Sequence, residues 1–216
     1  GVVVPDAGFL QRLRELTRRH GALLIFDEVV TGFRLAYGGA QTLFGITPDL
    51  TVLGKIIGGG FPVGAIGGPR HLMQRLAPEG KVYHAGTFAG HPVAMAAGMA
   101  TLQELKRRAP YERLEALAAQ LANGIRDAAQ RAGVAVEVNH LGSLLTVFFT
   151  DQPVRRFQDA QRADTARFAR FANGLADRGV LVPPSQFEAM CLSTAHTRDQ
   201  IERIVQAASN VLSAIG

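Results

Sequence analysis

The chain contains one cysteine, Cys191, and no uncharged apolar run of the roughly 18 residues that a transmembrane helix needs. A single cysteine excludes an internal disulfide, and because Cys191 stands among apolar residues, we expect its thiol to be buried and inert. The missing apolar run predicts that no part of the chain crosses a membrane. The start also lacks the basic, apolar and small-residue order of a signal peptide, so we expect a cytoplasmic location.

Two further absences concern partners. The net charge is +5 and the isoelectric point is near 10.0, yet no basic run is interleaved with aromatic residues. The arginines are spread along helical segments beside Glu and Asp, which is typical of a solvated surface, argues against nucleic acid, and at most favours anionic substrates. His84 and His91 lack metal-ligand spacing to a cysteine or a second histidine, so we predict no metal site.

The segment from residue 23 to residue 60 carries the most informative pattern. Residues 23–26 form an apolar run that ends at Asp27, and residues 50–53 form another that ends just before Lys55. Both runs are short enough for buried strands. Because parallel strands of an open α/β sheet present their carboxyl ends to one crevice, where such folds bind ligands, we expect both charged side chains to emerge at one edge.

An amine and a carboxylate in one crevice suit pyridoxal phosphate. The Lys55 amine can form a Schiff base with the cofactor aldehyde once burial or nearby cations lower its pKa, and Asp27 can keep the pyridine nitrogen protonated. On spacing alone, more common roles stay open: a turn or cap residue for Asp27 and a solvated loop position for Lys55.

Longer motifs strengthen the first interpretation. DEVVTGFR at residues 27–34, TPDLTVLGKIIGGGFPVGAIGG at 47–68 and HAGTFAGHPVAMAAG at 84–98 resemble the class III, fold type I pyridoxal-phosphate aminotransferases. The resemblance continues through DQPVRRFQDAQRAD at 151–164 and VLVPPSQFEAMCLSTAHT at 180–197. It implies an α/β fold, with residues 1–109 as part of a large domain with a mainly parallel sheet and residues 110–216 as a small α+β domain.

The resemblance also implies roles for individual residues. Lys55 would be the catalytic, cofactor-bearing lysine and Asp27 its electronic partner, while Val29 would pack against one face of the pyridine ring. Thr87 would reach the phosphate of the neighbouring subunit's cofactor, which implies a homodimer with shared active sites, and Glu188 would lie near the substrate's amino groups. From the residues alone, core burial of Val29, a turn role for Thr87 and an exposed loop position for Glu188 stay open. Glu28 is interpreted as a local structural carboxylate.

Two departures favour the aminomutase branch of this family. Val30 stands where many members carry a cofactor-binding Gln, and residues 190–197 lack the Arg with which many aminotransferases bind the substrate carboxylate. The implied reaction isomerises a small amino-aldehyde, (S)-4-amino-5-oxopentanoate, to 5-aminolevulinate for tetrapyrrole synthesis, with pyridoxal and pyridoxamine 5'-phosphate forms in the cycle. A class III aminotransferase acting on another amino donor through Lys55 and Asp27 stays open.

Family members are about twice as long as this chain, which starts at Gly1 with VVVPDAGFL. The resemblance therefore implies that an amino-terminal half is absent, with the phosphate-cradling turn and the aromatic residue that stacks on the ring. Because half a sheet leaves unpaired edges and apolar faces uncovered, the chain by itself is alternatively an inactive fragment with poor solubility or a tendency to associate.

Apolar periodicity and the positions of Gly and Pro predict the helices and strands of the chain. Helices are predicted at residues 6–20, 69–76, 92–108 and 111–132, through Phe168, Phe171 and Leu175, and from a capping box at 197–200 to the end. Strands are predicted at residues 2–4, 23–26, 50–53, 63–67, 134–139, 144–150 and 180–182. The pair Asn173-Gly174 weakens the prediction of the fifth of these helices, and the Ala- and Met-rich composition of the helix at 92–108, with Gly98, indicates close packing against a neighbour.

Overall fold

A computed structural model describes residues 1–216, which form two compact units. One unit is Ala7–Ala109, and the other joins Gly1–Asp6 to Pro110–Gly216. The sequence predicted a strand at residues 2–4, but no strand forms there. The Val2 amide donates to Thr146 Oγ1 (2.9 Å) and Asn139 Nδ2 donates to the Val2 carbonyl (2.9 Å), so side chains of the second unit replace a neighbouring strand.

The first unit alternates helices with short strands. Its helices are α1 (Phe9–Arg19), α2 (Gly39–Phe44), α3 (Arg70–Met73) and α4 (Pro92–Arg108), and its strands are β1 (Ile25–Asp27), β2 (Leu50–Gly54) and β3 (Gly64–Gly67). A 3₁₀ helix, Lys55–Gly58, follows β2 directly. The predicted strands before Asp27 and Lys55 are thereby confirmed.

The sheet of this unit has the order β1-β2-β3 and is mixed. β1 and β2 pair in parallel, with Asp27 opposite Val52, whereas β3 runs antiparallel to β2, with Gly64 opposite Gly54. A parallel crossover needs about a dozen residues or more, and the connection between β2 and β3 is shorter. The expectation of a mainly parallel sheet is therefore corrected to a mixed one.

A part-buried ion pair joins the amino-terminal ends of β1 and β2. Arg14 of α1 is only 8% exposed, and its Nη1 lies 2.8 Å from Asp49 Oδ2. The same carboxylate oxygen accepts the Leu24 amide at 2.7 Å, and the Asp49 amide donates to the Leu24 carbonyl at 2.8 Å. The Leu24 amide, and after it the Arg14 guanidinium, hold the pKa of Asp49 below its ordinary value. We call Arg14, Leu24 and Asp49 the strand clamp.

Asp49→Asn should weaken this clamp and lower the midpoint of urea unfolding of the intact protein at neutral pH. Because the folded-state pKa of Asp49 is depressed, its stabilising effect is present above the ordinary carboxyl pKa and is lost as the pH falls through the folded-state value. The deficit of the variant should therefore shrink below about pH 4. Glu79→Gln, at an exposed position of the same unit, is the control; a deficit that stays constant down to acid pH would contradict the role of Asp49.

The second unit has an α+β arrangement. Its helices are α5 (Tyr111–Arg131), α6 (Phe157–Arg162), α7 (Thr165–Ala176) and α8 (Arg198–Ile215), and its strands are β4 (Glu137–Leu141), β5 (Leu144–Phe148) and β6 (Met190–Cys191). These strands form an antiparallel sheet in the order β4-β5-β6. None of the helices in either unit combines the length and apolar character that a bilayer crossing requires.

Two predictions for this unit are wrong. No strand forms at residues 180–182, because the strand that pairs with β5 is β6, which places Cys191 opposite Leu144. Cys191 is exposed rather than buried, while the next residue, Leu192, is 4% exposed. Cys191 is the last residue of β6 and its side chain faces solvent, so an apolar neighbourhood in the sequence does not bury it.

Helix α8 organises the core of this unit. Its capping box is confirmed, since Thr197 Oγ1 accepts the Gln200 amide (3.3 Å) and Gln200 Oε1 accepts the Thr197 amide (2.9 Å).

Gly174 lies inside α7, where the sequence weakened the prediction of a helix. A Cβ on Gly174 would lie 2.8 Å from Val211 Cγ1, so the absence of a side chain lets α7 approach α8.

Gly174→Ala should destabilise the intact protein despite the better helix propensity of alanine, about 1 kcal/mol. The new methyl group would collide with Val211, and overpacking of this kind costs about 1–3 kcal/mol. In a Val211→Ala background the same change should be neutral or stabilising, because the space is free. Urea unfolding of the four proteins in this cycle measures the difference, and destabilisation in both backgrounds would contradict the packing argument.

Candidate active site

Asp27 and Lys55 lie at the carboxyl ends of neighbouring parallel strands. Asp27 is the last residue of β1 and pairs with Val52, while Lys55 follows the end of β2. Lys55 is three positions beyond Val52, about 10 Å along an extended strand. Both side chains are exposed, and no ion pair joins them. The structure thus brings an amine and a carboxylate to one sheet edge without neutralising either.

The backbone of Lys55 is unusual. Its φ is +49°, in the left-handed region that costs a non-glycine residue about 1–2 kcal/mol. The 3₁₀ helix that starts at Lys55 is pressed against α4, because a Cβ on Gly98 would lie 2.1 Å from the Ile57 carbonyl oxygen. A strained backbone persists only where its surroundings enforce it, and such residues concentrate at functional sites. The close packing that the sequence indicated around Gly98 is confirmed.

Gly98→Ala should push α4 away from the turn after Lys55. We expect the free energy of unfolding to fall by about 1–3 kcal/mol, because the added methyl group meets a backbone carbonyl that cannot rotate away. Gly67→Ala is the matched control, since nothing lies within 4 Å of a Cβ at that position of β3. Equal urea-unfolding midpoints for the two variants would contradict this packing.

Val29 connects the two charged residues. Its amide donates to Asp27 Oδ1 at 3.0 Å, so the carboxylate also closes a local turn. Its side chain is half-buried, and its Cγ1 would lie 3.3 Å from a Cβ on Gly54, the residue before Lys55. The apolar side chain therefore packs where β1 and β2 end, which brings Asp27, Val29 and Lys55 together.

Glu28 has the structural role predicted for it. Its side chain is buried and accepts hydrogen bonds from the Thr31 hydroxyl, the Ala40 amide (2.9 Å) and the Gln41 amide (2.8 Å). Ala40 and Gln41 lie in the first turn of α2, whose amides are otherwise without helical partners. The carboxylate thus fastens the end of β1 to the start of α2.

Thr87 and Glu188 have local contacts of their own. Thr87 is exposed in a turn closed by the Ala89 amide, which donates to the Gly86 carbonyl (2.9 Å). Glu188 belongs to the second unit, and its side chain is exposed. Its carbonyl accepts the Thr146 hydroxyl at 3.2 Å, which fixes the backbone of this loop. The roles given to Thr87 and Glu188 stay predictions.

Sequence reasoning missed the long-range contacts of the first unit. Three contacts depend on residues that are far apart in the chain: the strand clamp, the approach of Val29 to Gly54, and the contact of α4 with the Lys55 turn. The only sign of the last two contacts in the sequence is the small size of Gly54 and Gly98, which allows another part of the chain to come close.

These features define an α/β protein that presents an amine and a carboxylate at the carboxyl edge of two parallel strands. A protein-family model described as aminotransferase class-III matches residues 1–212. The chain belongs to the class-III aminotransferase family.

Two curated relatives carry an aminomutase name. The chain is 55% identical, over 96% of its length, to glutamate-1-semialdehyde 2,1-aminomutase 2 of Brevibacillus brevis. It is 56% identical, over its whole length, to the glutamate-1-semialdehyde 2,1-aminomutase of Thermomicrobium roseum. These matches cover 48% and 50% of the relatives, so the chain spans about half the length of the curated relatives that it matches.

Solved structures share the fold. An omega-transaminase from Sphaerobacter thermophilus superimposes with a TM-score of 0.88 at 39% identity, covering 96% of this chain and 48% of that protein. A glutamate-1-semialdehyde-aminomutase from Pseudomonas aeruginosa in complex with PMP gives a TM-score of 0.87 at 28% identity, covering this whole chain and 50% of that protein. The predicted fold class, part of a fold type I α/β transferase, is confirmed with mixed sheets.

Proposed function

We propose that the intact protein carrying this chain is a pyridoxal-phosphate-dependent aminomutase that converts (S)-4-amino-5-oxopentanoate to 5-aminolevulinate for porphyrin biosynthesis. The observation that carries the proposal is the placement of Asp27 and Lys55 at the carboxyl ends of two adjacent parallel strands. The identity of 55–56% to relatives named glutamate-1-semialdehyde 2,1-aminomutase supports the specific reaction.

The residues at this edge fit pyridoxal 5'-phosphate and its pyridoxamine form. Lys55 lies about 10 Å along the strand from Val52, the residue that pairs with Asp27, and this offset would leave space for an aromatic ring between the two charged side chains. Val29, half-buried beside them, offers an apolar surface for a ring face. When bound, the cofactor supplies an aldehyde that captures an amine and a ring that takes up electrons from the adjoining carbon.

Each of these side chains then has a definable task. The Asp27 carboxylate keeps a proton on the pyridine nitrogen, and Lys55 Nζ anchors the cofactor and moves protons as general base and acid. Val29 holds the ring in its plane by packing against one face. Because the amino and oxo groups exchange places on neighbouring carbons of one substrate, the reaction consumes no external acceptor.

The proposal extends to residues outside this group. Thr87 would bind the phosphate of the cofactor in a partner subunit, and Glu188 would lie near the substrate's amino groups. Tyr83 and Phe88, close to Thr87 in the sequence, are 85% and 72% exposed, and exposed aromatic side chains of this kind support a homodimer. Residues 1–109 would belong to the large domain and residues 110–216 to the small domain of a cytoplasmic enzyme.

A second candidate function is that of a class III aminotransferase with another amino donor and the same Lys55 and Asp27. The likeness to the omega-transaminase, with a TM-score of 0.88 at 39% identity, favours it. In a third possibility the 216-residue chain alone is inactive, because it spans about half of its curated relatives. Gel filtration and titration of this chain with pyridoxal phosphate decide the third possibility, and tight stoichiometric binding would contradict it.

Lys55→Ala in the intact protein should remove the visible absorbance of bound pyridoxal phosphate and lower kcat about 100- to 10,000-fold, the range expected for loss of a general acid-base group. The assay follows formation of 5-aminolevulinate from (S)-4-amino-5-oxopentanoate without any keto acid. Lys81→Ala is the control at an exposed lysine of the same unit and should retain both properties.

Survival of both the absorbance band and the activity in Lys55→Ala would refute the assignment of Lys55. Turnover by the unaltered protein only when a keto acid acceptor is added would instead identify an aminotransferase and reject the isomerase.

A further inference from the structure

Glu28 separates the two residues assigned to the cofactor at the end of β1, yet its own side chain turns into the protein. Only 1% of its surface is exposed, which is far less than for Asp27 or Val29 on either side. A carboxylate at this depth is costly unless hydrogen-bond donors surround it. The donors are the Thr31 hydroxyl and the first amides of α2, so the cost is offset by bonds to three separate points of the chain.

The backbone of Glu28 is fixed as well. Its amide donates to the Val52 carbonyl of β2 (2.8 Å), and its carbonyl accepts the Gly32 amide (2.8 Å). A Cβ on Gly39 would lie 2.5 Å from Glu28 Oε2, so a glycine at this position allows α2 to close over the carboxylate. Glu28 is therefore anchored to β2, to the following turn and to α2 at the same time.

The neighbours of Glu28 depend on this anchor. The Asp27 carboxylate is bonded to the Val29 amide, two residues away, and Val29 packs over Gly54, next to Lys55. Rotation of the peptide units on either side of Glu28 would move both side chains, because Asp27 and Val29 are its immediate neighbours in the chain. The orientation of Asp27 and Val29 toward Lys55 is thus tied to the buried carboxylate between them.

We propose that Glu28 is a positioning residue, whose buried carboxylate locks the turn of residues 27–29 so that Asp27 and Val29 keep the orientation that pyridoxal phosphate requires. The inference rests on the proposed function. The alternative is that Glu28 only stabilises the fold. Weakening the strand clamp shows what a loss of stability alone does, because the clamp stabilises the same two strands at their opposite ends, far from the turn.

Four variants of the intact protein separate these possibilities. Glu28→Gln keeps the shape but replaces one acceptor oxygen with a donor, which leaves an amide facing a donor. Thr31→Val removes one donor and keeps the rest of the network, so it tests the proposal even if Glu28→Gln does not fold. Thr31→Ser restores the hydroxyl, and Asp49→Asn loosens the strand clamp alone.

Three quantities are measured for each variant: the urea-unfolding midpoint without cofactor, the dissociation constant for pyridoxal phosphate, and the pH midpoint of its visible absorbance. We expect Glu28→Gln to raise the dissociation constant at least about tenfold, the factor that corresponds to loss of one charged hydrogen bond. Its pH midpoint should rise, because a ring nitrogen that is held less well by Asp27 withdraws less charge from the lysine nitrogen. Thr31→Val should change both in the same direction, and Thr31→Ser should restore them.

Asp49→Asn should lower the unfolding midpoint and leave the dissociation constant and the pH midpoint unchanged. The proposal is overturned if Glu28→Gln and Thr31→Val lower only the unfolding midpoint, or if Asp49→Asn alters cofactor binding as much as they do. If the proposed function itself is wrong, the unaltered protein will bind no pyridoxal phosphate, and this result distinguishes that case from an error about Glu28 alone.

Discussion

The parallel pairing of β1 with β2 is the constraint on which the site depends. β1 has three residues and β2 has five, so the ladder itself provides few hydrogen bonds. Charged side chains complete it at both ends: the part-buried Arg14–Asp49 pair where the strands begin, and the buried Glu28 with α2 where β1 ends. Each charge is matched by donors or by an opposite charge, which is the condition under which burial is tolerated. A short sheet is thereby held in one register.

Besides charged side chains, glycines that let two backbone segments come close stabilise the fold, and both units contain them. In the first unit, Gly98 lets α4 press against the turn after Lys55, and in the second unit Gly124 and Gly174 let α8 pack against α5 and α7. The first contact supports a strained lysine, whereas the contacts of α8 support only a core. Glycines that look alike in the sequence therefore serve a site in one unit and packing in the other.

Adjacent residues at the end of β1 have different roles. Asp27 and Val29 lie beside the strand edge that carries Lys55, while Glu28 between them enters the interior. At the end of β1 and in the turn that follows, Asp27 is exposed and Val29 half-buried whereas Glu28 is buried, so chemistry and anchoring occupy adjacent positions without competing for space. This arrangement explains how an exposed carboxylate, which makes a hydrogen bond only within its own turn, can keep a defined direction.

The sequence by itself determined the features that arise from nearby residues. Helices α4 and α8, the capping box at Thr197 and the two strands before Asp27 and Lys55 follow from apolar periodicity and from contacts within about four residues. The family motifs added roles for single residues that spacing left open. Tertiary structure alone decided the direction of β3, the strand at Met190–Cys191, the exposure of that cysteine and the partners of Glu28. Those features depend on which distant residues meet, and a local pattern of polarity does not encode that pairing.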